Sequence, residues 1–250
     1  MIRLDDVAML LISSNRSKAY LQRMLHRGLE PAHVILLRNK GESALPGQLV
    51  SDLQDGSEVE ERLYVHQGFV FRPERSLEQT LRESNISFEY CESSDPNSKA
   101  SLARLMRRPE SVVVYSGPGG TILGRQLLSC EKRFLHIHPG DLPEYRGSTT
   151  IYYSILEVGS CAATALFLSP EIDRGEILQR KSFELPSDAR LIDYIYDPLI
   201  RSSLLVEVLE SYVDSGNWNT EVQPEEGRTF YIIHPVLKHI AILGLERSEG

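Results

Sequence analysis

Residues 134–147 read FLHIHPGDLPEYRG, and how this stretch is placed decides the fold. It begins as a short apolar run in which His136 and His138 stand two positions apart. Successive side chains of a strand alternate between faces, so a strand here points both imidazoles to one side of its sheet. Pro139 and Gly140 stop the run at once. His138 then falls at the carboxyl end of the strand, the edge where open α/β sheets keep their ligands. Pro143, Tyr145, Arg146 and Gly147 form a tight connector, and Ser148 with Thr149 are expected to cap a helix over 151–156. The stretch reads as strand, active loop, helix.

The same alternation extends outward in both directions. Residues 7–13 fit a buried strand, followed by polar Ser14, Asn15 and Arg16 and a helical pattern through Tyr20, Leu21, Met24 and Leu25. A helix N-terminus with such side chains has two readings, a phosphate site or an N-cap with a solvated first turn. Gly28 is a helix stop before a second strand at 33–37. Helices are expected over 77–83 and 99–106, and strands over 86–90 and 111–115. A turn, Ser116, Gly117, Pro118, Gly119 and Gly120, precedes a helical pattern at 122–128. Further on, strands over 162–168 and 176–183 enclose a loop at 169–175 that contains Asp173. A bare Asp-x-Gly is most often a turn. Strand and helix in alternation predict an α/β fold, a Rossmann-like, doubly wound, mostly parallel sheet over residues 1–185. Residues 39–67 are a polar excursion of the kind that forms lids or substrate contacts. Residues 186–250 are expected to form a small helical appendage that packs on the main domain or offers a homodimer face. His234 and His239 within it are expected to be structural or surface groups.

Composition narrows the function classes. A net charge of −8 opposes a protein that lives on nucleic acid, because phosphate neutralisation needs clustered Lys and Arg. Cys91, Cys130 and Cys161 lack metal-type spacing and read as buried small hydrophobes in a reducing compartment. There is no apolar run of membrane-spanning length, and acids precede the first apolar run, unlike a signal peptide. A cytoplasmic protein with no membrane partner is expected.

The stretch H-I-H-P-G-D-L-P-E-Y-R-G resembles the signature of the folate-dependent formyltransferases, N-x-H-P-S-L-L-P-x-Y-R-G at the end of a strand. That family carries a second signature, D-x-G-x-I, some thirty-five residues on, and Asp173, Arg174, Gly175, Glu176 and Ile177 match it in order and separation. The resemblance implies transfer of a formyl group from 10-formyltetrahydrofolate to a primary amine, with His136, His138 and Asp173 as catalytic residues and no metal. It nominates Gly120, Thr121, Ile122, Leu123, Pro170, Glu171 and Ile172 for the folate. It nominates Ser14, Asn15, Arg16, Tyr145 and Arg146 for the acceptor, because the glycinamide ribonucleotide branch holds its substrate phosphate at the first turn. The departure is His136, which stands where the family has the asparagine that hydrogen-bonds the formyl oxygen. A small phosphate-bearing amine, an amino-sugar nucleotide above all, suits the acidic chain and its lack of a tRNA-binding C-terminal domain.

Formyl transfer needs a polarised carbonyl, a base for the attacking amine and an acid for the departing nitrogen. An imidazole at His138 suits this centre, because the side chain can hold or give a proton near neutrality. Asp173, placed beside it, would take the amine proton directly or through water. His136 would donate one N–H to the developing oxyanion in a tautomer that presents it. Two other readings of the same residues stay open. His136, His138 and Asp173 have the ligand types of a metal-dependent hydrolase or oxygenase. Alternatively, the chain is a catalytically altered binding protein on a formyltransferase fold.

Overall fold

The computed structural model describes residues 1–38 and 64–247. In chain order the elements are β1 (Ile2–Ile12), α1 (Asn15–His26), β2 (Leu29–Leu37), β3 (Tyr64–His66), β4 (Phe69–Phe71), α2 (Leu77–Glu83), β5 (Phe88–Cys91), α3 (Lys99–Met106) and β6 (Val112–Ser116). Then follow α4 (Arg125–Leu128), β7 (Arg133–His138), β8 (Arg146–Gly147), α5 (Thr150–Val158), β9 (Cys161–Phe167), β10 (Ile177–Phe183), α6 (Asp197–Ser215), β11 (Thr229–Phe230) and α7 (Pro235–Arg247). Most of the expected excursion, residues 39–63, lies outside the described residues.

Seven strands form one sheet in the order β10-β9-β7-β6-β1-β2-β5. The five strands from β7 to β5 are parallel, and β9 and β10 extend the sheet by antiparallel pairing. From β1 the chain winds outward through β2 and β5, then returns to the other side of β1 with β6 and β7. The strand order therefore reverses between β1 and β6, and the crevice beyond their carboxyl ends is where such sheets bind ligands. Period-two alternation explains the two layers. Met9, Leu11, Val34, Leu36, Val114, Leu135 and Ile137 share one core with α1 and α6. Leu10, Ile35, Leu37, Val113, Tyr115 and Phe134 share the other with α3 and α4.

Three expectations are corrected. The boundary near residue 185 is not a boundary in packing, because Leu204, Leu205, Val208 and Leu209 of α6 sit in the same core as Met9 and Leu36. Helix α6 covers one face of the sheet, and its polar Arg201, Ser202 and Ser203 are buried as well. The helix expected from 122 starts only at Arg125, leaving the preceding glycine-rich turn extended. Thr149 caps nothing with its side chain, its backbone being left-handed at φ 54°. Its hydroxyl instead donates to Ser148 O and accepts from Ile233 N, tying the start of α5 to the C-terminal segment. That segment returns to the active loop, since β11 pairs with β8 and Glu221 bridges Ile177. All three cysteines are buried and free. Among the described residues no helix is long and apolar enough to cross a membrane. His234 and His239 are exposed.

His66 makes stability depend on pH. Arg23 can only donate, so the 3.0 Å contact from its Nη1 requires an acceptor lone pair on His66 Nδ1. Burial, then the charges of Arg23 and Lys181, push this imidazole down to about 4. The unfolded chain protonates near the ordinary value of about 6.5. Between those values the unfolded state binds the extra proton, so stability falls as pH falls. The slope is at most about 1.4 kcal/mol per pH unit, less for a ring that solvent partly screens. The urea midpoint is expected to drop between pH 7 and pH 5, and His66→Gln to flatten the drop. Identical pH dependence in the variant would rule out His66 as its source.

Candidate active site

His138 ends β7 and is only 2% exposed. Its Nε2 lies 2.6 Å from the carbonyl oxygen of Tyr145. A carbonyl can only accept, so Nε2 carries the hydrogen, and Thr150 Oγ1 supports the same nitrogen at 3.3 Å. Thr150 is held in turn by donating to Pro139 O. The other nitrogen, Nδ1, faces Asp173 Oδ2 at 3.4 Å. With Nε2 committed to the backbone, Nδ1 is the nitrogen left to exchange a proton.

Asp173 arrives from the β9–β10 loop in a left-handed backbone conformation, φ 51°. Its Oδ2 also accepts from Gly147 N at 2.8 Å, so one carboxylate oxygen ties the second signature to the first. Both signature glycines are needed for this approach. A Cβ on Gly175 would lie 1.7 Å from Phe167 O. Gly147 has φ +100°, and its Cβ would lie 2.0 Å from Phe230 O.

His136 shares the strand face of His138, but its ring lies beside Tyr115, with ring centroids 6.2 Å apart. Its Nδ1 is enclosed and has no hydrogen-bond partner among the described residues. Burial first, then Arg201 and Arg16, hold this imidazole well below its usual range, so it stays neutral with a single N–H. Tyr115 OH is likewise buried without a partner, and burial pushes it up to about 12, which keeps its hydrogen. Two neutral polar side chains, each with an unpartnered buried atom, therefore lie side by side on β6 and β7. His136, His138 and Asp173 do not form a three-ligand metal group, nor does any other set of His, Cys, Asp or Glu among the described residues.

The remaining expected residues fall into two groups. Gly120, Thr121, Ile122 and Leu123 occupy the loop after β6, with Ile122 exposed and Leu123 buried in the core. Pro170, Glu171 and Ile172 form the exposed approach to Asp173, and Pro170 and Glu171 line a cavity of about 500 Å³ with Arg146, Arg174 and Gln223. The first loop stands at the carboxyl edge of the sheet, whereas the second leaves β9 at the end that pairs with Phe134 and Leu135 and reaches His138 through Asp173. The acceptor residues are different. Ser14 Oγ accepts from Ser17 N as the N-cap of α1, and Asn15 Nδ2 donates to Tyr194 O at 3.0 Å. Arg16 donates to Ser116 Oγ at 2.8 Å and to Gly117 O. The N-cap reading of this turn accounts for these side chains, because their polar groups have partners within the protein. Tyr145 stacks on Phe230 and donates to Glu157, and Arg146 is fully buried, donating to Pro224 O at 3.0 Å and Gln223 Oε1 at 3.2 Å. Both brace the C-terminal segment. Thr150 and the amide of Gly147 were invisible to sequence reasoning, for they act through hydrogen bonds that need the folded loop.

A mostly parallel seven-stranded sheet with a histidine and an aspartate meeting at the carboxyl end of β7 defines a Rossmann-like α/β fold with a paired acid–base group. The chain resembles a sugar N-formyltransferase from a Shewanella species over 96% of its length and 87% of that chain, with TM-score 0.56 and 16% identity. It resembles methionyl-tRNA formyltransferase from Clostridium thermocellum over 94% of its length and 74% of that chain, with TM-score 0.53 and 11% identity. In sequence, 122 residues are 36% identical to methionyl-tRNA formyltransferase of Chloroflexus aurantiacus, spanning 47% of this chain and 38% of that relative. No family model matches the chain. In fold and over this shared segment the chain is similar to formyltransferases, and it spans less than half the length of the sequence relative it matches.

Proposed function

We propose that this protein transfers a formyl group from 10-formyltetrahydrofolate to a primary amine. The observation that carries the reading is the committed His138, with Nε2 bound to Tyr145 O and Nδ1 turned to Asp173. The donor supplies an activated formyl carbon on nitrogen. Asp173 takes the proton that the amine loses as it attacks, directly or through water. His138, entering as the imidazolium beside ionised Asp173, gives its Nδ1 proton to the departing nitrogen and recovers one from the Asp173 carboxyl, which restores the pair. His136 N–H and Tyr115 O–H stabilise the charge that develops on the formyl oxygen. The loops holding Gly120, Thr121, Ile122 and Leu123, and Pro170, Glu171 and Ile172, flank the folate.

His136 is the residue that separates an adapted site from a disabled one. A neutral imidazole offers the oxyanion one N–H, as an asparagine amide would. His136→Asn is therefore expected to keep turnover within about tenfold, whereas His136→Ala costs on the order of 10²–10³ in rate. Equal rates for His136→Ala and the unsubstituted protein would remove His136 from the mechanism.

For the acceptor, a small amine, with an amino-sugar nucleotide favoured, accords with the net charge of −8. The name of the sequence relatives favours a second acceptor, methionyl-tRNA. Incubation with 10-formyltetrahydrofolate and a panel of amino-sugar nucleotides, amino acids and methionyl-tRNA decides between them. The expected result is tetrahydrofolate release with a formyl mass increment on a small amine. Formylation of the tRNA alone would replace the small-molecule acceptor, and no product from any amine would sink the reading.

A further inference from the structure

The C-terminal segment reaches back to Asp173 through one side chain. Gln223 Nε2 donates to the carbonyl of Asp173 at 2.9 Å and to that of Gly175 at 2.7 Å. Its Oε1 accepts from Nη2 of Arg146, which is fully buried and also donates to Pro224 O. The flanks are fixed independently. Glu221 exchanges two backbone hydrogen bonds with Ile177, and Arg146 N donates to Arg228 O where β11 joins β8. Gln223 thus links the backbone of the second signature to the arginine of the first, while Gly147 N and Asp173 Oδ2 link them directly.

We propose that Gln223 is a positioning residue for Asp173, and that residues 221–230 form a strap that completes the site. The reason is conformational. Asp173 adopts φ 51°, a region that a non-glycine residue keeps only when its surroundings hold it there. The loop carbonyls on either side of Arg174 are both held by the two hydrogens of this one amide. Without them the loop relaxes, and the carboxylate moves relative to Nδ1 of His138. Among the described residues Gln223 makes no hydrogen bond to the His138 ring, so its route to His138 runs through the loop that carries Asp173.

The test compares Gln223→Ala and Gln223→Glu. The glutamate keeps the side-chain length and the acceptor for Arg146 while removing both donated hydrogens, so it serves if the alanine variant folds poorly. Amide hydrogen exchange at Gly147 reports the bond to Asp173 Oδ2 with no need for activity, and is expected to speed up by about tenfold in both variants. Resting on the formyl-transfer reading, the kinetic arm expects kcat to fall by roughly 10–10² with KM for the donor little changed, as for a catalytic group held slightly out of place. In an Asp173→Asn background the same substitution should add less than about twofold, since the group it positions is gone. Unchanged exchange at Gly147, or a lowered melting temperature with kcat intact, would overturn the positioning role. A lack of turnover in the unsubstituted protein would defeat the formyl-transfer reading alone, and the exchange arm would still decide Gln223.

Discussion

Replacing His138 by alanine is expected to lower the rate of formyl transfer by about 10²–10⁴, the usual contribution of a positioned general acid or base. The size of the effect follows from how completely the ring is committed. Tyr145 O and Thr150 Oγ1 hold Nε2 from one side, leaving Nδ1 to face Asp173 at 3.4 Å. Asparagine at this position could still reach a backbone carbonyl but has no nitrogen that exchanges a proton near neutrality, so His138→Asn is expected to be as slow as the alanine variant. Asp173→Asn is expected to cost a similar factor. The double variant should be little worse than either single one, because residues that act as a unit lose their function together. Single-turnover rates of the three variants check this. Additive losses would show that the two residues serve separate steps.

The largest effect on the folded state is expected at Gly175. An added Cβ would lie 1.7 Å from Phe167 O, a backbone atom that no side-chain rotation relieves. Phe167 N accepts no freedom either, since it donates to Glu176 O at 2.9 Å. Gly175→Ala must therefore separate β9 from the loop that carries Asp173. A loss of about 2–4 kcal/mol is expected in urea unfolding, within the range of overpacked and strained sites. Activity should fall further than stability, because Asp173 shifts with the loop. A variant with unchanged midpoint and unchanged turnover would show that the loop has slack which the close approach conceals.

The sheet was legible in the sequence because its strands are buried on both faces and read as unbroken apolar runs, such as residues 112–115 and 34–37. The His138–Asp173 pairing was legible only through the two signatures, since nothing in a bare Asp-x-Gly says what its carboxylate meets. Helix α6 was misjudged for a physical reason. It is buried on several sides, so its pattern lacks the polar face that marks a helix lying on a domain. Tyr145 and Arg146 directly follow the His138 loop in sequence, yet their side chains turn to Glu157 of α5 and to Phe230, Gln223 and Pro224, which the returning C-terminal segment brings there. Ser14, Asn15 and Arg16 had two readings that sequence alone could not separate, and the neighbours Ser17, Tyr194 and Ser116 favour the structural one.

The most direct test of the central claim is calorimetric titration of 5-formyltetrahydrofolate, a folate that does not transfer its formyl group, into the purified protein. One site with micromolar Kd is the result this account requires, because the loops at 120–123 and 170–172 and the donors around His136 are read as a folate site. No binding at millimolar ligand, by a protein whose melting curve shows it folded, would contradict it.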